Sequence, residues 1–209
     1  MIELRVSVLT EKTMNAANHK CRAIVHHAAG TPILFLHGYS YTSIVWQRIG
    51  VVELLTEKHV PFLSLDMPYG LKSECTPKTR DTEVNVAVAK EAFQSVFGEA
   101  EPFVVGASFG GHIALEYAAR YAVRGLLLVA PSRTQQENLV QAYRKFKFPV
   151  RIIWGSEDNI ISGEEMRTLA DQLPNGKLVP YEGAGHSAYV NQPDRFKRDL
   201  LELYAAAEQ

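Results

Sequence analysis

Short, almost uninterrupted apolar segments recur along this chain, and they constrain its fold more than any other feature. Each segment is three to five residues long, and a longer amphipathic stretch separates it from the next. Strands of a parallel sheet that is covered on both faces show this pattern, because the side chains on both faces are buried. The segments are 33–36, 61–65, 103–105, 126–129 and 150–154, with 177–180 as a weaker sixth.

The stretches between these segments predict helices, because their apolar residues recur at helical spacing. Asp81 precedes one of them and Gly98 follows it, which is typical of a capped helix. Ser162 and Glu165 have the spacing of a capping box. The predicted helices are 45–58, 82–97, 108–121, 134–146, 162–173 and 193–206. Strand and helix therefore alternate, and we expect an α/β fold with a mostly parallel central sheet and helices on both faces.

Two further strands are predicted near the N-terminus. Residues 2–8 alternate between apolar and polar side chains, as a half-buried strand does. Residues 21–27 are the expected partner, after a polar turn around residues 15–19.

Length and charge narrow the function classes. A chain of 209 residues predicts one domain over 1–209, and 46% hydrophobic with 22% charged residues is ordinary for a globular protein. A net charge of −1 provides no basic field for nucleic acid. No apolar run approaches the ~18 residues of a membrane span, and no secretory leader is expected. Cys21 and Cys75 fit neither a zinc site nor a disulfide framework, so we expect free thiols and a cytoplasmic location.

A Gly-Ala-Ser-Phe-Gly segment at 106–110 lies between a predicted strand and a predicted helix. This G-x-S-x-G pattern is typical of a sharp turn that holds a serine in a strained conformation with its Oγ exposed. Glycines on either side let neighbouring backbone approach without a Cβ clash. Ser108 is therefore the candidate nucleophile.

A serine hydroxyl is a weak nucleophile and needs a base that a carboxylate orients. His186 is the candidate base, in a glycine-rich loop after the last predicted strand. Asp158 is the candidate acid after the strand at 150–154, with Glu157 beside it as an alternative. Such residues belong at the carboxyl ends of the strands, where parallel sheets bind their ligands.

Two backbone N–H groups are candidates for an oxyanion hole. One belongs to Phe109, directly after the nucleophile, and the other to Tyr39, in the loop after 33–36. His37 is expected to brace that loop rather than to transfer protons. Asp66, at the end of a strand, is expected to bond to local backbone.

From residue 33 to about residue 201 the chain resembles the α/β-hydrolase superfamily. The matching landmarks are His-Gly at 37–38, Asp-Met-Pro at 66–68, Gly-Ala-Ser-Phe-Gly-Gly at 106–111, Gly-Ser-Glu-Asp at 155–158 and Gly-Ala-Gly-His at 183–186. The resemblance implies Ser108 as nucleophile, Asp158 as orienting acid and His186 as base, in the chain order of that superfamily.

Within that superfamily the chain is most similar to the small, lidless proteins of the CIB type. Residues 36–43 and Trp46 carry this resemblance. The 19 residues at 131–149 leave room for one helix and for no cap domain. The chain departs from the family pattern at two positions. Tyr69 occupies a position where the family often has glycine. Ser162 occupies a position after the acid loop where the family often has proline. Aromatic residues on the loops expected around the nucleophile are candidates for an acyl pocket: Tyr39, Tyr41, Tyr69, Phe109 and Tyr189.

These residues predict a serine hydrolase, a carboxylesterase that cleaves small short-chain acyl esters through a Ser–His–Asp triad and an acyl-enzyme. We expect neither a cofactor nor a metal. The expected partner is the substrate, a small acyl ester. The sequence does not predict the oligomeric state. A thioesterase or amidase would use the same triad. Two alternatives belong to other functional classes. The chain could be a non-catalytic binding protein on a hydrolase scaffold, or a sensor that hydrolyses its ligand slowly. A dehalogenase would need an aspartate at position 108.

Overall fold

The computed structural model describes residues 8–208. Within this range one eight-stranded sheet has the strand order β1-β2-β4-β3-β5-β6-β7-β8. The strands are β1 (Val8–Ala16), β2 (His19–His27), β3 (Ile33–Leu36), β4 (Phe62–Leu65), β5 (Phe103–Ala107), β6 (Gly125–Val129), β7 (Val150–Gly155) and β8 (Gly176–Tyr181). The helices are α1 (Val45–Arg48), α2 (Val51–Glu57), α3 (Thr82–Phe97), α4 (Phe109–Arg120), α5 (Glu137–Tyr143), α6 (Gly163–Gln172), α7 (Ala188–Asn191) and α8 (Pro193–Ala207).

Most of the sheet is parallel, as the alternation of strands and helices predicts. Strands β3 to β8 pair in parallel, whereas β1 with β2 and β2 with β4 are antiparallel. The carboxyl ends of β3 to β8 therefore meet at one edge of the sheet. The loops that leave this edge carry the candidate site.

Helices cover both faces of the sheet, as expected. Side chains alternate along each central strand, so that on β3 Leu34 and Leu36 join one core and Ile33 and Phe35 the other. Helices α3, α4, α5 and α6 pack on the first face, and α1, α2, α7 and α8 pack on the second. Each fully buried side chain of this kind contributes roughly 1.5–3 kcal/mol to the free energy of unfolding. The two cores hold the central strands, and thus the ends of those strands, in fixed positions.

The N-terminal hairpin differs from the expectation. The strand predicted at 2–8 lies outside the described residues except for Val8, and β1 runs from Val8 to Ala16. Ala17 and Asn18 form its two-residue turn, with φ of 45° and 62°. Hairpin turns of this kind need positive φ at both positions, which asparagine tolerates better than most residues.

The helix predicted at 45–58 is interrupted. Gly50 adopts φ 75° between α1 and α2. A residue in this left-handed conformation ends one helix, and glycine adopts it without steric cost. The prediction missed the break because the apolar spacing continues across it.

The prediction of free thiols is wrong. Cys21 on β2 and Cys75 form a disulfide, and no free cysteine lies between residues 8 and 208. The neighbouring residues Lys20 and Thr76 exchange two backbone hydrogen bonds of 2.8 and 3.0 Å, which brings the two cysteines face to face. The cytoplasmic location, which we inferred in part from free thiols, stays a prediction.

The segment between β6 and β7 holds helix α5 and, within the described range, no cap domain. The expected lidless architecture is thereby confirmed. None of the helices found between residues 8 and 208 combines the length and the apolar character needed to cross a membrane.

Candidate active site

Ser108 occupies a sharp turn between β5 and α4. Its φ of 52° and ψ of −114° lie in a region that residues with a Cβ seldom adopt. The turn is possible because Gly106 and Gly110 have no side chain. A Cβ on Gly106 would lie 2.5 Å from the carbonyl oxygen of Gly110, and one on Gly110 would clash with the carbonyl oxygen of Leu36. This is the strand–turn–helix setting that the G-x-S-x-G pattern predicts.

The structure brings the three predicted triad side chains together. His186 Nε2 lies 2.9 Å from Ser108 Oγ, and His186 Nδ1 lies 2.8 Å from Asp158 Oδ2. The side chain of Asp158 is fully buried, and that of His186 is 19% exposed. A proton on Ser108 can therefore pass to an imidazole that a buried carboxylate orients.

Two further hydrogen bonds fix the carboxylate of Asp158. Its Oδ1 accepts from the backbone N–H groups of Ile160 and Ile161 at 2.8 and 3.0 Å. Glu157, the alternative acid, is an exposed residue. Of these two neighbouring acids, Asp158 is the one whose carboxylate contacts His186.

The loop of His186 rests directly on the loop that carries the acid. Glu157 N donates to the carbonyl of Ala184 at 2.9 Å. Gly155 allows this approach, because a Cβ there would clash with the carbonyl oxygens of Ala184 and Gly185. Gly183 turns the histidine loop at φ 71°. Gly155 thus lets the loops that carry Asp158 and His186 pack directly against each other.

The loop of Tyr39 lies against the nucleophile turn. A Cβ on Gly38 would stand 3.8 Å from Ser108 Cβ, so the backbone passes close to the serine. Two hydrogen bonds support the loop from the segment after β4. Tyr69 Oη donates to the carbonyl of His37 at 2.5 Å, and Leu71 N donates to the carbonyl of Tyr39 at 2.8 Å.

His37 braces this loop, as the sequence suggests. Its Nδ1 donates to the carbonyl of the following residue at 2.8 Å, and its Nε2 accepts from Met67 N at 2.9 Å. Burial lowers the pKa of His37, which keeps the ring neutral and able to accept. Asp66 accepts from the backbone N–H groups of Ser43 and Glu74 at 2.6 and 2.5 Å, so it bonds to backbone as expected, although Ser43 belongs to the distant loop after β3.

A cavity of about 420 Å³ opens at Ser108. Of the five aromatic residues considered as an acyl pocket, Tyr39, Tyr41 and Tyr189 line it. Tyr69 and Phe109 do not: Tyr69 is buried against Phe109, with ring centres 4.9 Å apart. Tyr69 therefore supports the loop of Tyr39 through its bond to His37 and is not part of the wall of the Ser108 cavity.

Two residues that the sequence analysis did not single out also line the cavity. Ile160 is 66% exposed at its mouth. Ser187 accepts a hydrogen bond from the Tyr41 hydroxyl at 3.0 Å. In the sequence, only the position of Ile160, two residues after Asp158, could have indicated that it lies at the cavity.

His112 lies outside the cavity, although it is only four residues from Ser108. Its Nε2 is 3.2 Å from Thr82 Oγ1, and its ring packs against Phe109. Burial, together with the charges of Arg133 and Arg120, lowers the pKa of His112 to about 4. His112 is therefore a neutral core residue at neutral pH.

The buried, neutral His112 predicts a loss of stability in acid. The unfolded chain binds a proton near the ordinary pKa of 6.5 and the folded chain only near 4, so the stabilisation is complete above pH 6.5 and falls as the pH drops. At pH 4.5 the loss is about 2–3 kcal/mol for this group. Urea unfolding of the native protein and of His112→Gln at pH 7.5 and 4.5 measures it. A variant that loses as much stability as the native protein would contradict this assignment.

Metal ligands are not gathered at this site. Across residues 8–208, no three side chains of His, Cys, Asp or Glu come together as ligands of a metal ion would.

Comparisons with known proteins place the chain among hydrolases. The sequence model of the Alpha/beta hydrolase family matches residues 33–148. The chain is 29% identical over 179 residues to protein ABHD14A of Homo sapiens, a match that covers 85% of this chain but 65% of that protein. It thus spans slightly less than two thirds of this relative.

A second relative carries an activity in its name. The chain is 29% identical to "Putative protein-lysine deacylase ABHD14B" of Rattus norvegicus over 174 residues, which cover 82% of this chain and 81% of that protein. Among solved structures, a "predicted CIB-like hydrolase" of Thermoplasma acidophilum superposes with a TM-score of 0.83 at 21% identity. That match covers 94% of this chain and 97% of the other, and shows a shared fold.

Proposed function

Since this chain belongs to the alpha/beta hydrolase family, we propose that it is a serine hydrolase, a carboxylesterase for small short-chain acyl esters. One observation carries the proposal: the hydrogen-bonded path from Ser108 Oγ through His186 to Asp158, with contacts of 2.9 and 2.8 Å. Nucleophile, base and orienting acid within hydrogen-bond reach, in this order, are what acyl transfer to a serine requires.

In the first half of the reaction, Ser108 Oγ attacks the ester carbonyl while His186 Nε2 takes its proton. The proton on His186 Nδ1 stays in the hydrogen bond to Asp158, whose negative charge stabilises the imidazolium. The carbonyl oxygen becomes an oxyanion and accepts from the N–H groups of Tyr39 and Phe109. One such donor typically stabilises the transition state by ~3–4 kcal/mol.

His186 then returns its proton to the leaving alcohol, and the acyl group remains on Ser108 as an ester, which completes acylation. Water then enters where the alcohol left. His186 removes a proton from this water as it attacks the acyl carbonyl, and protonates Ser108 Oγ as the acid departs. The partly exposed imidazole, 19% accessible, gives that water access.

The open cavity supports the preference for short acyl groups. Its volume of about 420 Å³ serves both the acyl and the alcohol part of a substrate. No cap domain covers it within the described residues. Methylene groups beyond its walls stay in water and forgo the ~0.8 kcal/mol that each would gain on burial.

A chain-length series tests this specificity. We expect kcat/KM for 4-nitrophenyl esters to be highest between acetate and butyrate and not to increase for longer acyl chains, because the added methylenes are not buried. The measurement is initial-rate hydrolysis from acetate to decanoate, below the solubility limit of each ester. Turnover of the long chains that is much faster than that of the short ones would reject this specificity.

A second candidate activity is amide cleavage, which the name of the rat relative favours. The same triad can attack an amide, because His186 can protonate a leaving amine as it would an alcohol. Parallel assays with an Nε-acetyl-lysine peptide and with 4-nitrophenyl acetate distinguish the two. If kcat/KM is larger for the peptide, the protein is a deacylase rather than an esterase.

A further inference from the structure

Arginine side chains cover the rings of both residues whose N–H groups are candidates for the oxyanion hole. The guanidinium carbon of Arg80 lies 4.5 Å from the ring centre of Tyr39, and that of Arg133 lies 5.0 Å from the ring centre of Phe109. Within residues 8–208 neither arginine has a carboxylate within 4.0 Å. Each of these two rings is thus covered by a cation that has no ion pair within that distance among the described residues.

Arg80 is held in place although it is exposed. Besides its stacking on Tyr39, its Nη2 donates a hydrogen bond to the Tyr39 hydroxyl. A guanidinium has five N–H donors in a fixed plane. The remaining donors stand in a defined orientation, which suits a carboxylate that binds with both oxygens.

Arg80 and Tyr39 belong to a cleft of about 270 Å³ beside the Ser108 cavity. Tyr39 is part of the wall of both cavities, so the cleft begins on the far side of this side chain from the Ser108 cavity. Lys78 is the other charged residue of the cleft, and no acid lines it. The Lys78 ammonium donates to Gly70 O at 2.9 Å and to Ser73 Oγ at 2.8 Å, so it adds positive charge while bracing the loop.

The surroundings of Arg133 are different. It lines a shallow cleft of about 630 Å³ together with Glu164 and Glu165, whose charges oppose its own. Arg80 has no such neighbours in its cleft. Of the two arginines, Arg80 is thus the one whose cleft is lined by no acidic residue of the described range.

We propose that Arg80 determines specificity by binding a carboxylate on the substrate, so that the preferred esters carry a negative charge that reaches past Tyr39. This inference rests on the proposed esterase function and names its substrate class. The expected preference is about three- to tenfold in kcat/KM, because the guanidinium is exposed and salt screens it. The preference should decrease as the salt concentration rises.

Two substrate pairs test the proposal, each differing in one charge. The first is mono(4-nitrophenyl) glutarate against 4-nitrophenyl pentanoate, which places the charge on the acyl side. The second is 4-acetoxybenzoate against its methyl ester, which places the charge on the leaving group. We expect the charged member of at least one pair to be preferred, and Arg80→Gln to remove this preference while Arg80→Lys retains part of it.

Arg124→Gln is the matched control. Arg124 precedes β6 at the opposite edge of the sheet, where it pairs with Glu101 at 3.0 Å. This variant removes the same net charge and should keep the ratio of charged to neutral turnover. Equal ratios in the native protein and in Arg80→Gln, for both pairs, would overturn the inference and leave the esterase function standing.

A binding measurement separates this inference from the esterase function. NMR titration of Ser108→Ala with monomethyl glutarate and with methyl pentanoate needs no turnover. Tighter binding of the charged ester, lost in Ser108→Ala/Arg80→Gln, is expected even if the native protein hydrolyses neither pair. Equal binding of both esters by Ser108→Ala would reject the anion site.

Discussion

Replacing Ser108 with alanine is expected to lower kcat for 4-nitrophenyl acetate by about 10⁴- to 10⁶-fold. The loss is large because removal of Oγ ends the path through the acyl-enzyme, and direct attack of water on the ester is much slower. The alanine fits the same turn, so the fold should persist. Steady-state hydrolysis, with circular dichroism to verify folding, measures the effect.

Ser95→Ala is the matched control. Ser95 is an exposed residue of α3 whose hydroxyl donates to the carbonyl of Ala92 at 2.8 Å, on a helix that contributes no side chain to the cavity. Its kcat should stay within about twofold of the native value, as for most surface substitutions. Should Ser108→Ala retain activity within tenfold of native, Ser108 would not be the nucleophile.

The second large effect is expected from Asp158→Asn, which should lower kcat by about 10³- to 10⁴-fold. The amide can still accept from the backbone at positions 160 and 161, so the loop should keep its conformation. It cannot stabilise the imidazolium of His186, and an NH₂ facing Nδ1 favours the wrong tautomer. The kcat/KM of the folded variant for 4-nitrophenyl acetate measures this.

Glu157→Gln provides the comparison, because it makes the same chemical change one residue earlier. Glu157 is exposed, and its variant should keep kcat/KM within about twofold. The reverse outcome, a large loss for Glu157→Gln and a small one for Asp158→Asn, would make Glu157 the orienting acid and contradict the arrangement described above.

The central strands and the nucleophile turn could be predicted because their signals are local. Apolar segments such as 126–129 identify buried strands by themselves, and the Gly-x-Ser-x-Gly pattern describes a turn whose sterics involve few residues. The positions of His186 and Asp158 followed from strand ends that meet at one edge of a parallel sheet. Their contacts of 2.8 and 2.9 Å required the structure.

Features that depend on distant parts of the chain escaped the sequence analysis. Cys21 and Cys75 are 54 residues apart, and only the pairing of their two segments brings them together. The contact between Arg80 and Tyr39 joins loops from two strands in the same way. Residues 9–16 were not predicted as a strand because they carry few apolar side chains, and pairing with β2 determines their conformation.

The central claim is that Ser108 is an activated nucleophile, and covalent labelling with a fluorophosphonate tests it most directly. The reagent should add once to the native protein, and intact-mass spectrometry should find one adduct per chain. Ser108→Ala should give none under the same conditions. A well-folded native protein that takes up no label would contradict the account and favour a binding protein on a hydrolase scaffold.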